Sequence, residues 1–306
     1  MTQMRRLLLH VGLPKAASTS LQNGLFLALH KANAINFLGR AFESGFYGVR
    51  RNKGDYKDWF DHVVDERPHD PNNTLGEMSD RLINVLSEGL FMMNERHYSD
   101  QIVGAKILKG YFLPQADQID VMIVARKQED LVPSYFVQNY RKLKKKDFGA
   151  FLAHNRTHGW AGEAKIFNFY DVAQEYAAAF GKDHVHIVLF EDFVRDRDRF
   201  STQLGRLMNV DPGLIKSNLG ESQLNQTRKE PGAVVIRKLD KNSLRYRTIR
   251  LLEFFGLRYA ADLRVRIPPV TDEEKKTIFD SFKASNLQLA EEFSLDQNTM
   301  RQYGYF

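Results

Sequence analysis

An α/β fold built on a mainly parallel sheet follows from three features of the sequence. Short apolar runs rich in β-branched residues alternate with segments of helical periodicity. The first such run ends in a tight turn that leads straight into a helix pattern. No repeat, low-complexity stretch or flexible linker interrupts the alternation. The class expected is therefore a P-loop-like three-layer sandwich, a central sheet with helices on both faces, in one domain spanning residues 1–306. Strands are expected at residues 7–11, 90–93, 120–125 and 184–190. Helices are expected at 18–31, 78–87, 130–144, 170–180, 197–208, 233–254 and 272–293. The last opens with Thr271 ahead of Asp272, Glu273 and Glu274, a capping hydroxyl followed by acids that suit the positive end of the helix dipole. Residues 42–74 are rich in Gly, Asn, Asp and Pro and read as an irregular insertion.

Composition narrows the function classes. Hydrophobic residues make up 43% and charged residues 27% of the 306, as in an ordinary globular protein. No apolar run approaches the length of a membrane span. Arg5 and Arg6 precede an apolar run, but it stops at Gly12-Leu13-Pro14-Lys15, too early for a signal-peptide core, so a cytoplasmic protein is expected. The absence of cysteine excludes disulfides, thiolate metal sites and cysteine nucleophiles.

The net charge of +6 is unevenly spread. Between Arg237 and Arg266 nine basic residues face only Asp240, Glu253 and Asp262, an excess equal to that of the whole chain. Such a region favours anionic ligands or forms a solvated helix face. The motifs and stacking aromatics of nucleic-acid binding are missing, so no nucleic-acid partner is expected. The run 141–147, Arg-Lys-Leu-Lys-Lys-Lys-Asp, ends a helix pattern and complements its C-terminal dipole.

Two constellations carry chemistry. In the first, the apolar run 7–11 ends at Gly12, followed by Pro14, Lys15, Ala16, Ala17, Ser18, Thr19 and Ser20. Strand, tight turn and helix start form the context in which backbone N–H groups bind an anion. Small side chains admit the anion, hydroxyls add donors, and Lys15 adds a fixed charge. The triphosphate consensus G-x-x-x-x-G-K-[ST] is not met, because the second glycine is missing and the lysine comes three residues after Gly12. In the second, a strand ends at Arg126 and Ser134 follows eight residues later on the next helix. A guanidinium fork at a strand's C-terminal edge and a nearby hydroxyl suit a dianionic phosphate.

Together these two segments resemble the sulfotransferases that use 3′-phosphoadenosine 5′-phosphosulfate (PAPS), and in particular bacterial members akin to the carbohydrate and heparan branch. The stretches 186–210 and 282–293 are similar to the family as well. The resemblance implies transfer of a sulfuryl group from PAPS to a hydroxyl acceptor on a saccharide or glycolipid, with adenosine 3′,5′-bisphosphate as product and no metal. It implies that Lys15 and residues Ala16 to Ser20 bind the 5′-phosphosulfate. It implies further that Arg126 and Ser134 bind the 3′-phosphate, and that Arg228 and Lys229 belong to a basic loop closing over the nucleotide. Many members carry glycine where Ala17 stands; since alanine disfavours positive φ, a right-handed backbone is expected there.

The acceptor must also lose a proton. Asn94-Glu95-Arg96-His97 follows the apolar run 90–93, which would set a carboxylate at a strand edge beside the first loop. The resemblance gives Glu95 the role of general base, with His97 as the alternative. A third stretch, 106–114, holds Lys109 and Tyr111 in a pattern similar to one in the small-molecule branch, with Tyr111 where that branch has histidine. Two other readings stay open: a nucleotide-dependent kinase of P-loop type, and a non-catalytic protein that binds anionic glycans through residues 237–266.

Overall fold

The computed structural model describes residues 4–13, 15–40, 78–88, 101–140, 143, 147–219, 233–238 and 262–306. Five parallel strands form the central sheet: β1 (Arg6–Val11), β2 (Asn36–Arg40), β3 (Asn84–Glu88), β4 (Gln118–Ala125) and β5 (Val185–Leu189), in the order β2-β3-β1-β4-β5. All four pairings are parallel. In β1 and β4 every residue after the first is buried, which is why both read as continuous apolar runs rather than alternating ones.

Helix α1 spans residues 18–31 and joins a short α segment (Ser18–Ser20), a π segment (Leu21–Phe26) and a second α segment (Leu27–Lys31). The remaining α-helices among the described residues are α2 (Gln101–Phe112), α3 (Gln128–Asn139), α4 (Phe148–Thr157), α5 (Phe169–Phe180), α6 (Phe190–Arg195), α7 (Arg197–Met208), α8 (Pro212–Asn218), α9 (Asp272–Glu292) and α10 (Gln297–Tyr303). Helix α5 packs on β4 and β5 and against α2 and α9, while α7 covers β5 and meets α8, which in turn meets α1. The result is the three-layer α/β arrangement expected. Thr271 and Glu274 form a reciprocal capping box at the start of α9.

Two expectations fail. Residues 78–87 were expected as a helix, but β3 occupies Asn84–Glu88. Asn84 is fully buried: its Nδ2 donates to the carbonyls of Arg6 (3.0 Å) and Ser79 (3.0 Å), and its Oδ1 accepts from Ser79 N (2.8 Å) and Asn36 Nδ2 (2.7 Å). That saturated amide ties the segment to β1 and β2, and Val85 and Leu86 bury opposite faces of a strand. The expected strand 90–93 lies outside the described residues. Residues 233–254 were expected as a helix, but Ala233–Lys238 forms strand β6, paired antiparallel with β7 (Asp262–Ile267) in a separate two-stranded sheet. Three consecutive β-branched residues, Val234, Val235 and Ile236, outweighed the helical spacing. The insertion at 42–74 lies outside the described residues. Among the described residues no helix is long and apolar enough to cross a membrane.

Candidate active site

Strand order locates the site. From β1 the chain moves to β2 and back to β3 on one side, then crosses β1 to reach β4 and β5 on the other. In such sheets ligands sit outside the carboxyl ends of the strands where the direction of winding reverses. Here that crevice lies between the ends of β1 and β4, so Gly12, Leu13, residues 15–17 and Arg126 converge on it.

The loop after β1 is strained. Lys15 has φ 68° and Ala17 φ 60° with ψ 4°, both left-handed without being glycine. The right-handed backbone expected at Ala17 is therefore not found. A left-handed L-residue costs about 1–2 kcal/mol, so the surroundings must hold these conformations. Ala16 is fully buried between them and its N–H donates to Leu13 O at 3.3 Å. Ser18 Oγ donates to the same carbonyl at 3.0 Å, which commits that hydroxyl to the loop. Thr19 stays exposed and Ser20 half-buried. A left-handed residue followed by a helical one turns successive N–H groups to one side, the backbone basis of an anion nest. The first helical bond runs from Leu21 N to Ala17 O at 2.9 Å, so among the described residues the N–H groups of Ser18, Thr19 and Ser20 have no intrahelical acceptor. Ala17→Gly is expected to raise unfolding stability by about 0.5–1 kcal/mol, since it removes the Cβ penalty and returns part of it as unfolded-chain entropy. Urea denaturation measures this, and a lower stability would mean that contacts of the Ala17 Cβ outweigh the strain.

Arg126 closes the crevice. Its Nη1 donates to Lys15 O at 2.6 Å, and its guanidinium lies 4.7 Å from the centre of the Phe190 ring. Its Nε is buried without a hydrogen-bond partner among the described residues. Burial pushes the Arg126 pKa down, opposed by the field of Asp130 and Glu191. A desolvated guanidinium with an unused N–H calls for an anion. Ser134 lies on α3, half-buried, and no hydrogen bond joins it to Arg126 among the described residues.

Beneath the loop lies a polar network that the sequence did not reveal. His10 of β1 is fully buried, with Nδ1 2.6 Å from Ser87 Oγ, and Gln22 Nε2 donates to the same hydroxyl at 2.8 Å. His10 and Ser87 are register partners on β1 and β3, and Gln22 belongs to the π segment of α1. Burial holds the His10 imidazole neutral, its pKa lowered to about 3. The network pins the π segment that follows the loop to the two central strands. Only its strand neighbour across β1 makes His10 legible as part of a cluster, and that neighbour is 77 residues away.

Glu95, His97, Arg228 and Lys229 lie outside the described residues. Glu95 was expected just beyond a strand ending at 93, whereas β3 ends at Glu88. The acid at the C-terminal end of that strand is thus Glu88, in register with Val11. Lys109 on α2 lines a cavity of about 370 Å³ together with Asp117, Gln118 and His184. That cavity lies at the N-terminal end of β4, across the length of an eight-residue strand (~25 Å) from Arg126. Nearby, Asp120 accepts hydrogen bonds from Gln118, His184, His186 and Arg6; burial raises its pKa, but the histidine bonds outweigh this and keep it well below the usual range. Among the described residues no group of His, Asp and Glu could hold a metal.

No family model matches the chain, and no curated protein matches it. Among solved structures, a sulfotransferase from Alicyclobacillus acidocaldarius is 14% identical with a TM-score of 0.47, covering 96% of this chain and 98% of that one. Mouse sulfotransferase SULT7A1 complexed with PAP is 10% identical with a TM-score of 0.42, covering 98% of this chain and 87% of its own. Retinol dehydratase in complex with androsterone and inactive cofactor PAP is 10% identical with a TM-score of 0.32, covering 95% of this chain and 69% of its own.

Proposed function

We propose that the chain is a sulfotransferase that moves a sulfuryl group from PAPS to a hydroxyl of a carbohydrate acceptor, a saccharide or glycolipid. The observation that carries the reading is the Arg126–Lys15 contact, which joins the two anion determinants at the reversal point of the sheet. Lys15 and the N–H groups of residues Ser18 to Ser20 hold the 5′-phosphosulfate, with Ala16 and Ala17 leaving room for it. Arg126, with Ser134, holds the 3′-phosphate, and Arg228 and Lys229 close over the nucleotide.

The acceptor oxygen attacks sulfur as the bond from sulfur to the bridging oxygen breaks. Negative charge grows on the departing phosphate, where Lys15 and the loop amides stabilise it. The acceptor proton passes to a general base, Glu95 in this account. The products are the sulfate ester and adenosine 3′,5′-bisphosphate. No residue role calls for a metal.

Arg126→Ala and Ser134→Ala test the assignment by selectivity. Loss of a charge-assisted hydrogen bond is worth about 1.5–3 kcal/mol, so the arginine change is expected to weaken adenosine 3′,5′-bisphosphate binding more than the serine change. Both variants are expected to lose discrimination against 5′-AMP, which lacks the 3′-phosphate. Equal losses for the two nucleotides in calorimetric titration would remove Arg126 and Ser134 from the 3′-phosphate site.

A further inference from the structure

Behind Arg126 lies a buried acid whose two oxygens are both taken. Glu191, at the start of α6, accepts from the backbone N–H of Lys127 at 3.0 Å through Oε1 and from the Tyr305 hydroxyl at 2.7 Å through Oε2. Glu191 is 5% exposed and Tyr305 1%. Such a carboxylate has no rotational freedom left, and the residue it grips follows Arg126 directly.

Tyr305 is itself held firmly. Gly304 ends α10 with φ 85°, and a Cβ there would meet Lys127 Cδ at 3.5 Å, so the chain turns down against Lys127. Tyr305 N–H donates to Met300 O at 3.0 Å, and its carbonyl accepts from Asn286 Nδ2 at 3.1 Å. Asn286 of α9 and Gln128 of α3 exchange a reciprocal pair of amide bonds, at 2.9 and 3.0 Å. Three helices far apart in sequence thus converge on the two residues after Arg126.

We propose that Glu191 and Tyr305 form a latch that sets the backbone and guanidinium of Arg126, making both positioning residues for the 3′-phosphate of a nucleotide donor. The proposal rests on the donor-site reading above. Glu191 fixes Lys127 N from behind, while the Lys15 carbonyl and the Phe190 ring fix the guanidinium in front. Asp130 and Glu191 also set negative charge near the partly desolvated guanidinium, which favours its charged form. Neither residue needs to touch the nucleotide.

Tyr303 provides a matched control. Its hydroxyl donates to Asp192 Oδ1 at 2.8 Å, one residue from Glu191, but not to the latch. Tyr305→Phe and Tyr303→Phe each remove one hydroxyl–carboxylate bond and keep the ring. Calorimetric titration is run with adenosine 3′,5′-bisphosphate and with 5′-AMP on the wild type and both variants. Tyr305→Phe is expected to bind the bisphosphate roughly 5–10-fold more weakly, within the net scale of one ordinary hydrogen bond, and to leave 5′-AMP affinity near wild type. Tyr303→Phe is expected to match the wild type with both. Glu191→Gln keeps the shape, is expected to shift the same ratio in the same direction, and serves if Tyr305→Phe does not fold. A wild type that binds neither nucleotide overturns the donor-site reading and the latch with it. A wild type that prefers the bisphosphate, with a preference unchanged in Tyr305→Phe and Glu191→Gln, overturns the latch alone.

Discussion

Lys15→Ala is expected to lower kcat by roughly 10²–10³-fold, the usual scale for losing one preorganised donor aimed at charge that develops in the transition state. The ammonium stands on a loop held left-handed at Lys15 and Ala17, so its stem leaves the backbone in a conformation that the chain would otherwise avoid. Donor affinity is expected to fall less than turnover, because the phosphosulfate is less charged at its bridging oxygen before the bond breaks than after. Steady-state kinetics with varied PAPS separate the two. An unchanged kcat with a raised KM would make Lys15 a uniform binder with no special role in the transition state.

The second large effect belongs to the proton acceptor. Glu95→Gln keeps the shape of the side chain and removes only its basicity, so turnover is expected to fall by about 10²–10⁴-fold with donor affinity close to wild type. The wild-type kcat/KM is expected to rise with pH through the pKa of the base, and the variant to lose that limb. A carboxylate sets the limb below the unperturbed imidazole value of about 6.5 unless burial raises it. Because β3 ends at Glu88, Glu88→Gln belongs in the same series, with His97→Ala. Normal turnover in Glu95→Gln beside an inactive but folded Glu88→Gln would move the base to the strand end. Normal turnover in Glu95→Gln and Glu88→Gln beside an inactive but folded His97→Ala would make it a histidine and remove the main support for a carbohydrate acceptor.

Much of the frame was legible because the central strands are buried on both faces. Continuous apolar runs marked β1, most of β4 and β5, and α7 was expected at its observed bounds. The anion loop and Arg126 were legible for a related reason: each is a contiguous stretch that begins where a strand stops. Strand β2 was missed because it is short, and its register with β3 shifts between Phe37 and Gly39. Strand β3 was misread because its identity depends on Asn84, whose hydrogen bonds reach β1 and β2 across the sheet. At Ala17 the local preference of alanine lost to the geometry of a loop pinned at Leu13 and Lys15. The latch could not be read at all, since Glu191 and Tyr305 are 114 residues apart and nothing in either's surroundings in the chain names the other.

The central claim is that the crevice between β1 and β4 binds the spent sulfuryl donor rather than a nucleoside triphosphate. The most direct measurement is the melting temperature of the wild-type chain with adenosine 3′,5′-bisphosphate, with 5′-AMP, and with ATP plus magnesium. A ligand at 100 times its Kd stabilises the folded state by about 2.7 kcal/mol, well within reach of such a measurement. The account predicts a clear rise with the bisphosphate, a smaller one with 5′-AMP and none with ATP plus magnesium. Stabilisation by ATP plus magnesium without any by the bisphosphate would contradict it and make the kinase reading the correct one.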